Sequence, residues 1–102
     1  MKIYIVTYEL SSDKSRAREA RIEEAIKYQG EALEIQRGVW ILKSVYAHSA
    51  IRDMIQAELD EQDKLFVGTL SGYSALGNTF SQEAAALIAS VWHRKSVDKH
   101  SA

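Results

Sequence analysis

The sequence predicts an α+β domain of the ferredoxin-like class, a βαββαβ sandwich with a C-terminal extension containing a third helix. Strand-like and helix-period runs alternate in that order over roughly the first 70 residues. The first strand is also apolar on both faces, as in a strand covered on both sides. In such a sandwich a four-stranded antiparallel sheet carries both helices of the repeat on one face.

Each element has its own signal. Lys2 to Leu10 contains Ile3, Tyr4, Ile5, Val6, Thr7 and Tyr8, a β-branched and aromatic run that reads as a central strand. Ser11 to Ser15 has turn and cap chemistry. Ile22, Ala25, Ile26 and Gln29 then follow helical spacing over about Ser15 to Gln29, and Gly30 supplies a left-handed stop. Leu33 to Gln36 and Val39 to Lys43 are short strands around Arg37-Gly38, a hairpin turn or bulge. Ile51, Met54, Ile55 and Leu59 mark a second helix with Ser49 as its cap, and Lys64 to Leu70 restores strand character. Beyond Gly72 and Gly77, the residues Ala84, Leu87, Ile88 and Val91 form one side of a third helix from about Ser81 to His93. Residues 1–93 thus read as one domain with its C-terminal helix, and 94–102 as a polar tail.

Composition narrows the function. The chain has 102 residues, 26% of them charged, with a formal net charge of -1. That balance gives no bulk field for nucleic acid, so any phosphate contact needs a local basic patch. There is no cysteine, which removes disulfides and thiolate metal sites. No apolar run is long enough to span a bilayer and no secretory h-region opens the chain, so a cytoplasmic location and no membrane partner are expected. Gly72-Tyr73-Ser74-Ala75-Leu76 begins like a nucleophile elbow but lacks its final glycine, and His48, His93 and His100 have no ligand spacing. Trp40 reads as sheet core before it reads as a base-stacking platform.

The chemistry-bearing corner is the end of the first strand. Tyr8 and Glu9 close it, and Lys14, Arg16, Arg18 and Arg21 open the helix that follows. One carboxylate beside several guanidinium groups can hold a cation and a phosphate together: magnesium takes oxygen ligands, and arginines dock phosphate through charge-assisted bonds. The plainer alternative is a surface ion pair of Glu9 with Arg16 or Arg18.

The run Val6-Thr7-Tyr8-Glu9-Leu10, the strand Trp40-Ile41-Leu42-Lys43, the helix start Ile51-Arg52-Asp53 and the strand Asp63-Lys64-Leu65-Phe66-Val67 resemble the small CRISPR-associated dimeric nuclease family that partners the spacer integrase. They equally resemble its relatives, the VapD toxins and small SinR-like bacterial chains. The resemblance covers about residues 1–72. It implies a homodimer with facing sheets, a strand-ending tyrosine-acid pair near the twofold axis, magnesium at the acid, and arginines eight and ten positions beyond the tyrosine. Those positions are Tyr8, Glu9 as metal ligand, Arg16 and Arg18, which the resemblance implies as the catalytic set. The family's acid is normally aspartate, and the extra methylene of Glu9 displaces a carboxylate by more than a preorganised site tolerates. The resemblance further implies that the segment after the fourth strand, about Leu70 to Leu76, crosses to the partner's sheet, with the third helix packing on the dimer.

Two function classes follow. One is a small homodimeric RNA- or DNA-associated protein acting as a metal-dependent endonuclease. The other is a non-catalytic dimeric scaffold or a toxin-antitoxin-type regulator.

Overall fold

In the computed structural model, the backbone is described for residues 1–11 and 16–101 and the side chains for 1–11 and 16–92. The elements are β1 (Lys2–Glu9), α1 (Arg16–Lys27), β2 (Glu31–Gln36), β3 (Val39–Ser44), α2 (His48–Gln56), β4 (Lys64–Thr69) and α3 (Gln82–Ser101). The sheet order is β2-β3-β1-β4 with β1–β3, β1–β4 and β2–β3 all antiparallel. β3 therefore lies between the parallel pair β1 and β2, and β1 between β3 and β4. These are two interleaved split βαβ units, the ferredoxin-like fold.

Strand alternation sorts β1 into two faces. Tyr4 and Val6 join Trp40, Leu42, Ile22, Ile26, Ile51 and Ile55 in a core beneath α1 and α2. Ile3 faces the other way, with Ile41, Leu87 and Ile88. That second core is the main departure from expectation: within one chain α3 packs against β1, β2 and β3 on the second face, leaving Phe66 of β4 exposed there. The apolar second face of β1 is thus explained by α3. In the segment expected to cross to a partner, Leu70 N–H donates to Ile3 O at 2.8 Å, and the Tyr73 ring lies 4.7 Å from Phe80 and 5.9 Å from Trp92 of the same chain.

Local expectations need smaller corrections. α2 starts at His48 after an extended Ala47 and has no side-chain cap, so Ser49 lies inside the helix instead of capping it. Gly30 does not end α1 with a left-handed turn; its role is clearance, since a Cβ there would sit 2.0 Å from the Lys43 carbonyl oxygen. Gly38 does carry the positive φ of the β2–β3 turn, at 75°, and its N–H donates to Glu34 Oε2 at 3.0 Å. The backbone of 94–101, expected as a tail, continues α3 to Ser101, and its side chains lie outside the described residues. The cap region 12–15, with Lys14, also lies outside them.

The two edges of the sheet differ. On β2, Glu34 pairs with Trp40 while Gln36 pairs with Val39, so Ile35 is an inserted bulge residue. β4 pairs with β1 without interruption from Tyr4↔Thr69 to Glu9↔Lys64.

Candidate functional site

The end of β1 delivers Tyr8 and Glu9 to opposite faces of the sheet, because neighbouring residues of a strand alternate. Tyr8 turns toward the α1 and α2 side and packs on the core there. Glu9 is paired with Lys64 in the ladder, and their side chains, 76% and 81% exposed, stand 3.9 Å apart. Such a pair contributes little, about 0–1 kcal/mol.

Arg18 is committed elsewhere. Its guanidinium binds the Asp63 carboxylate and lies 3.2 Å from Asp60 Oδ2, leaving the Arg18 side chain 13% exposed and that of Asp63 closed off from solvent. Asp63 also accepts the Ser11 N–H at 2.9 Å, the Ser11 hydroxyl at 3.1 Å and the Asp60 N–H at 2.8 Å. These backbone donors, from Ser11 first and Asp60 second, hold the Asp63 carboxyl well below the usual carboxylate range, and Arg18 adds to them. The clamp ties the end of β1, α1 and the approach to β4 at one point.

Arg16, at the start of α1, lines an open cleft with Glu19, Glu23, Glu34, Gln36 and Arg37. A second cleft of about 310 Å³, lined by Tyr8, Glu9, Leu10, Glu19, Arg37 and Gly38, shares Glu19 and Arg37 with it. Tyr8 donates its N–H to Gly38 O at 2.9 Å, which seats the hairpin turn against the end of β1. Burial pushes the Tyr8 phenol up; the Trp40 indole opposes that shift, and the carboxylates Glu34, Glu23 and Glu19 reinforce it. Trp40 itself is 3% exposed, a core residue rather than a stacking platform, and its buried indole nitrogen meets no acceptor at full hydrogen-bond geometry.

Of the expected set, Tyr8, Glu9 and Arg16 therefore border neighbouring clefts, while Arg18 is withdrawn into the clamp. Sequence reasoning missed the three glutamates and did not join Arg37 to this corner. The glutamates at 19 and 23 carry a legible one-turn spacing, but Glu34 and Arg37 reach the corner only through the β2–β3 hairpin. The remaining cations disperse: Lys43 stands 3.1 Å from Ser90 Oγ and 3.8 Å from Glu31, and Arg52 pairs with Asp53 at 2.8 Å.

Magnesium needs several oxygen ligands in a near-octahedral arrangement. Glu9 offers one exposed carboxylate with a lysine as its neighbour, and no group of three histidine, aspartate or glutamate side chains suited to a metal occurs among the described residues. Among the described residues, the donor set of one chain does not fit the ion. His48 is exposed at the start of α2, and no helix among the described residues is long and apolar enough to cross a membrane.

Comparison with solved structures finds a similar fold in the crystal structure of a hypothetical protein from Thermus thermophilus. The TM-score is 0.55 at 24% sequence identity, covering 74% of this chain and 90% of that one. The likeness bears on the fold alone. No protein-family model and no curated protein matches the chain.

Proposed function

We propose that this protein is a non-catalytic homodimeric scaffold or regulatory protein built on the ferredoxin-like fold. The observation that carries this reading is the placement of Arg18. A guanidinium held by Asp63 and Asp60 is a structural tie, and its release to bind phosphate would leave the enclosed Asp63 carboxylate without that partner. Glu9, turned to the other face from Tyr8 and set beside Lys64, supports the same reading. So does the carboxylate field of Glu19, Glu23 and Glu34 around Tyr8, which disfavours an incoming phosphate.

One observation favours the second reading, a nucleic-acid-associated protein with magnesium-dependent nuclease activity: Arg16 and Arg37 line one cleft near Tyr8 and Glu9. A metal there would require Glu9 from two copies.

Fluorescence anisotropy with labelled single- and double-stranded DNA and RNA at low salt, with and without magnesium or manganese, separates the two. The scaffold reading expects neither cleavage nor salt-sensitive binding. Metal-dependent cleavage abolished by Glu9→Gln would overturn it. Binding whose salt slope flattens by roughly one to two units in an Arg16→Ala, Arg37→Ala double variant would establish the nucleic-acid reading.

A further inference from the structure

β4 is an edge strand of the sheet. β4 closes the sheet order, and among the described residues nothing pairs with its outer side. Edge strands are ordinarily blunted by proline, bulges, inward charges or a covering element. β4 has no proline and no bulge, and its one charge is Lys64 at the first position. β2, at the other edge, carries a bulge and the charges of Glu31 and Glu34. Phe66, in the middle of β4, is 62% exposed.

The hydrogen-bond parity of this edge follows from one contact. Leu70 N–H donates to Ile3 O, so the even-numbered residues of β4 direct their backbone groups at β1. Leu65, Val67 and Thr69 therefore present their N–H and C=O groups outward. We propose that this edge binds a second copy of the chain, β4 against β4 in antiparallel pairing about a twofold axis at Val67. This deepens the dimeric part of the reading above and rests on it.

Three features select that occupant and that register. An antiparallel pair centred on Val67 matches Val67 with its own copy and Leu65 with Thr69 of the second copy, so every outward-facing residue of the strand finds a partner. A centre at Phe66 or Gly68 leaves part of the strand unpaired. The same register sets Phe66 opposite Gly68 of the second copy, large against small. Within one chain the Phe66 ring already leans over Gly68, 3.1 Å from where a Cβ would stand, so a second ring set opposite Gly68 would meet that aromatic surface. Finally, the charges are self-complementary. The central residues Leu65 to Gly68 are uncharged, and the Lys64 side chains of the two copies fall at opposite ends of the pairing. The cleft beside Leu65 is lined by Arg52 together with Asp60 and Glu61, both signs on one surface, as a twofold contact requires. Among the described residues Arg52 pairs with its neighbour Asp53 alone, and both are more than half exposed, so it is available to an acid across the axis.

Two variants act on the edge while sparing the fold. Thr69→Pro removes an outward N–H and no bond to β1, at an exposed position preceded by glycine. Phe66→Lys replaces an exposed ring with a charge near the axis. Light scattering at micromolar concentration is expected to give the mass of two chains for the native protein. Each variant should raise the dimer dissociation constant by roughly 100-fold or more while retaining its circular dichroism. Amide exchange on the native protein gives an independent reading, in which Leu65, Val67 and Thr69 gain protection as concentration rises. A native dimer that survives both variants with these amides unprotected would overturn the inference and leave the dimeric scaffold standing on another surface. A native monomer would overturn both. If a variant fails to fold, the exchange pattern of the native protein decides.

Discussion

Arg18 on α1 and Asp63 before β4 meet across 45 positions of sequence, and the contact is embedded in the Ser11 and Asp60 hydrogen bonds to the same carboxylate. Asp63 is thus the knot of the corner from which a catalytic reading of Arg18 would have to start.

The knot makes a prediction about acid. A carboxyl whose folded value lies below its unfolded value contributes stability above the unfolded pKa, about 4, and loses it as pH falls toward the folded value. Asp63→Asn should therefore lower the melting temperature at neutral pH, by roughly 5 °C or more, and flatten its fall below about pH 4. Thermal melts between pH 2 and 7, monitored by circular dichroism, check both; an unchanged acid limb would place the depressed carboxyl elsewhere.

Alkaline pH works through Tyr8. Its phenol is raised in the folded state by burial and by Glu34, Glu23 and Glu19, so the unfolded chain loses that proton first and stability declines as pH climbs past about 10. Ultraviolet titration should show a tyrosine ionisation above the ordinary phenol range, and Glu34→Gln should bring it forward. Tyr8→Phe should remove the late step altogether.

The second core yields a packing test. Ile88 is 2% exposed and Leu87 7%, both against Ile3 and Ile41, so Ile88→Ala should cost about 2–5 kcal/mol in urea unfolding. Deleting residues from Ser81 onward should bare Ile3 and Ile41 and produce aggregation. A soluble truncation with the native melting temperature would mean that the second face needs no cover.

Gly30 offers a backbone test. A Cβ meeting the Lys43 carbonyl oxygen at 2.0 Å has no side chain to push aside, so Gly30→Ala must move β3 or the end of α1. The expected loss is about 3 kcal/mol, at the upper end for overpacking. Gly72→Ala, where nothing lies within 4 Å, is the matched control and should be close to neutral.

The architecture was readable because its signals are local. β-branched runs, helix spacing and the Arg37-Gly38 turn each reside within a few residues, and their order leaves few sheet topologies. The destination of α3 was not readable. Ala84, Leu87, Ile88 and Val91 announce an apolar stripe, but nothing in that stripe says whether it covers its own sheet or another's. The candidate site failed for two different reasons. That Tyr8 and Glu9 diverge follows from the period of a strand and was available from the sequence. That Arg18 belongs to Asp63 was not, since a contact 45 residues apart leaves no local trace. Glu34 and Arg37 likewise reach Tyr8 only once β3 has paired with β1.

The bulge at Ile35 has a further consequence for stoichiometry. A sheet with two flat edges can add neighbours indefinitely and grow into a ribbon or fibre. Here the ladder is broken on the β2 side, between Glu34 and Gln36, so β2 offers no continuous template for another strand. In the β4 pairing proposed above, each copy would use the one uninterrupted edge among its described strands. Assembly through that pairing would then stop at two, with the inserted Ile35 as its cap.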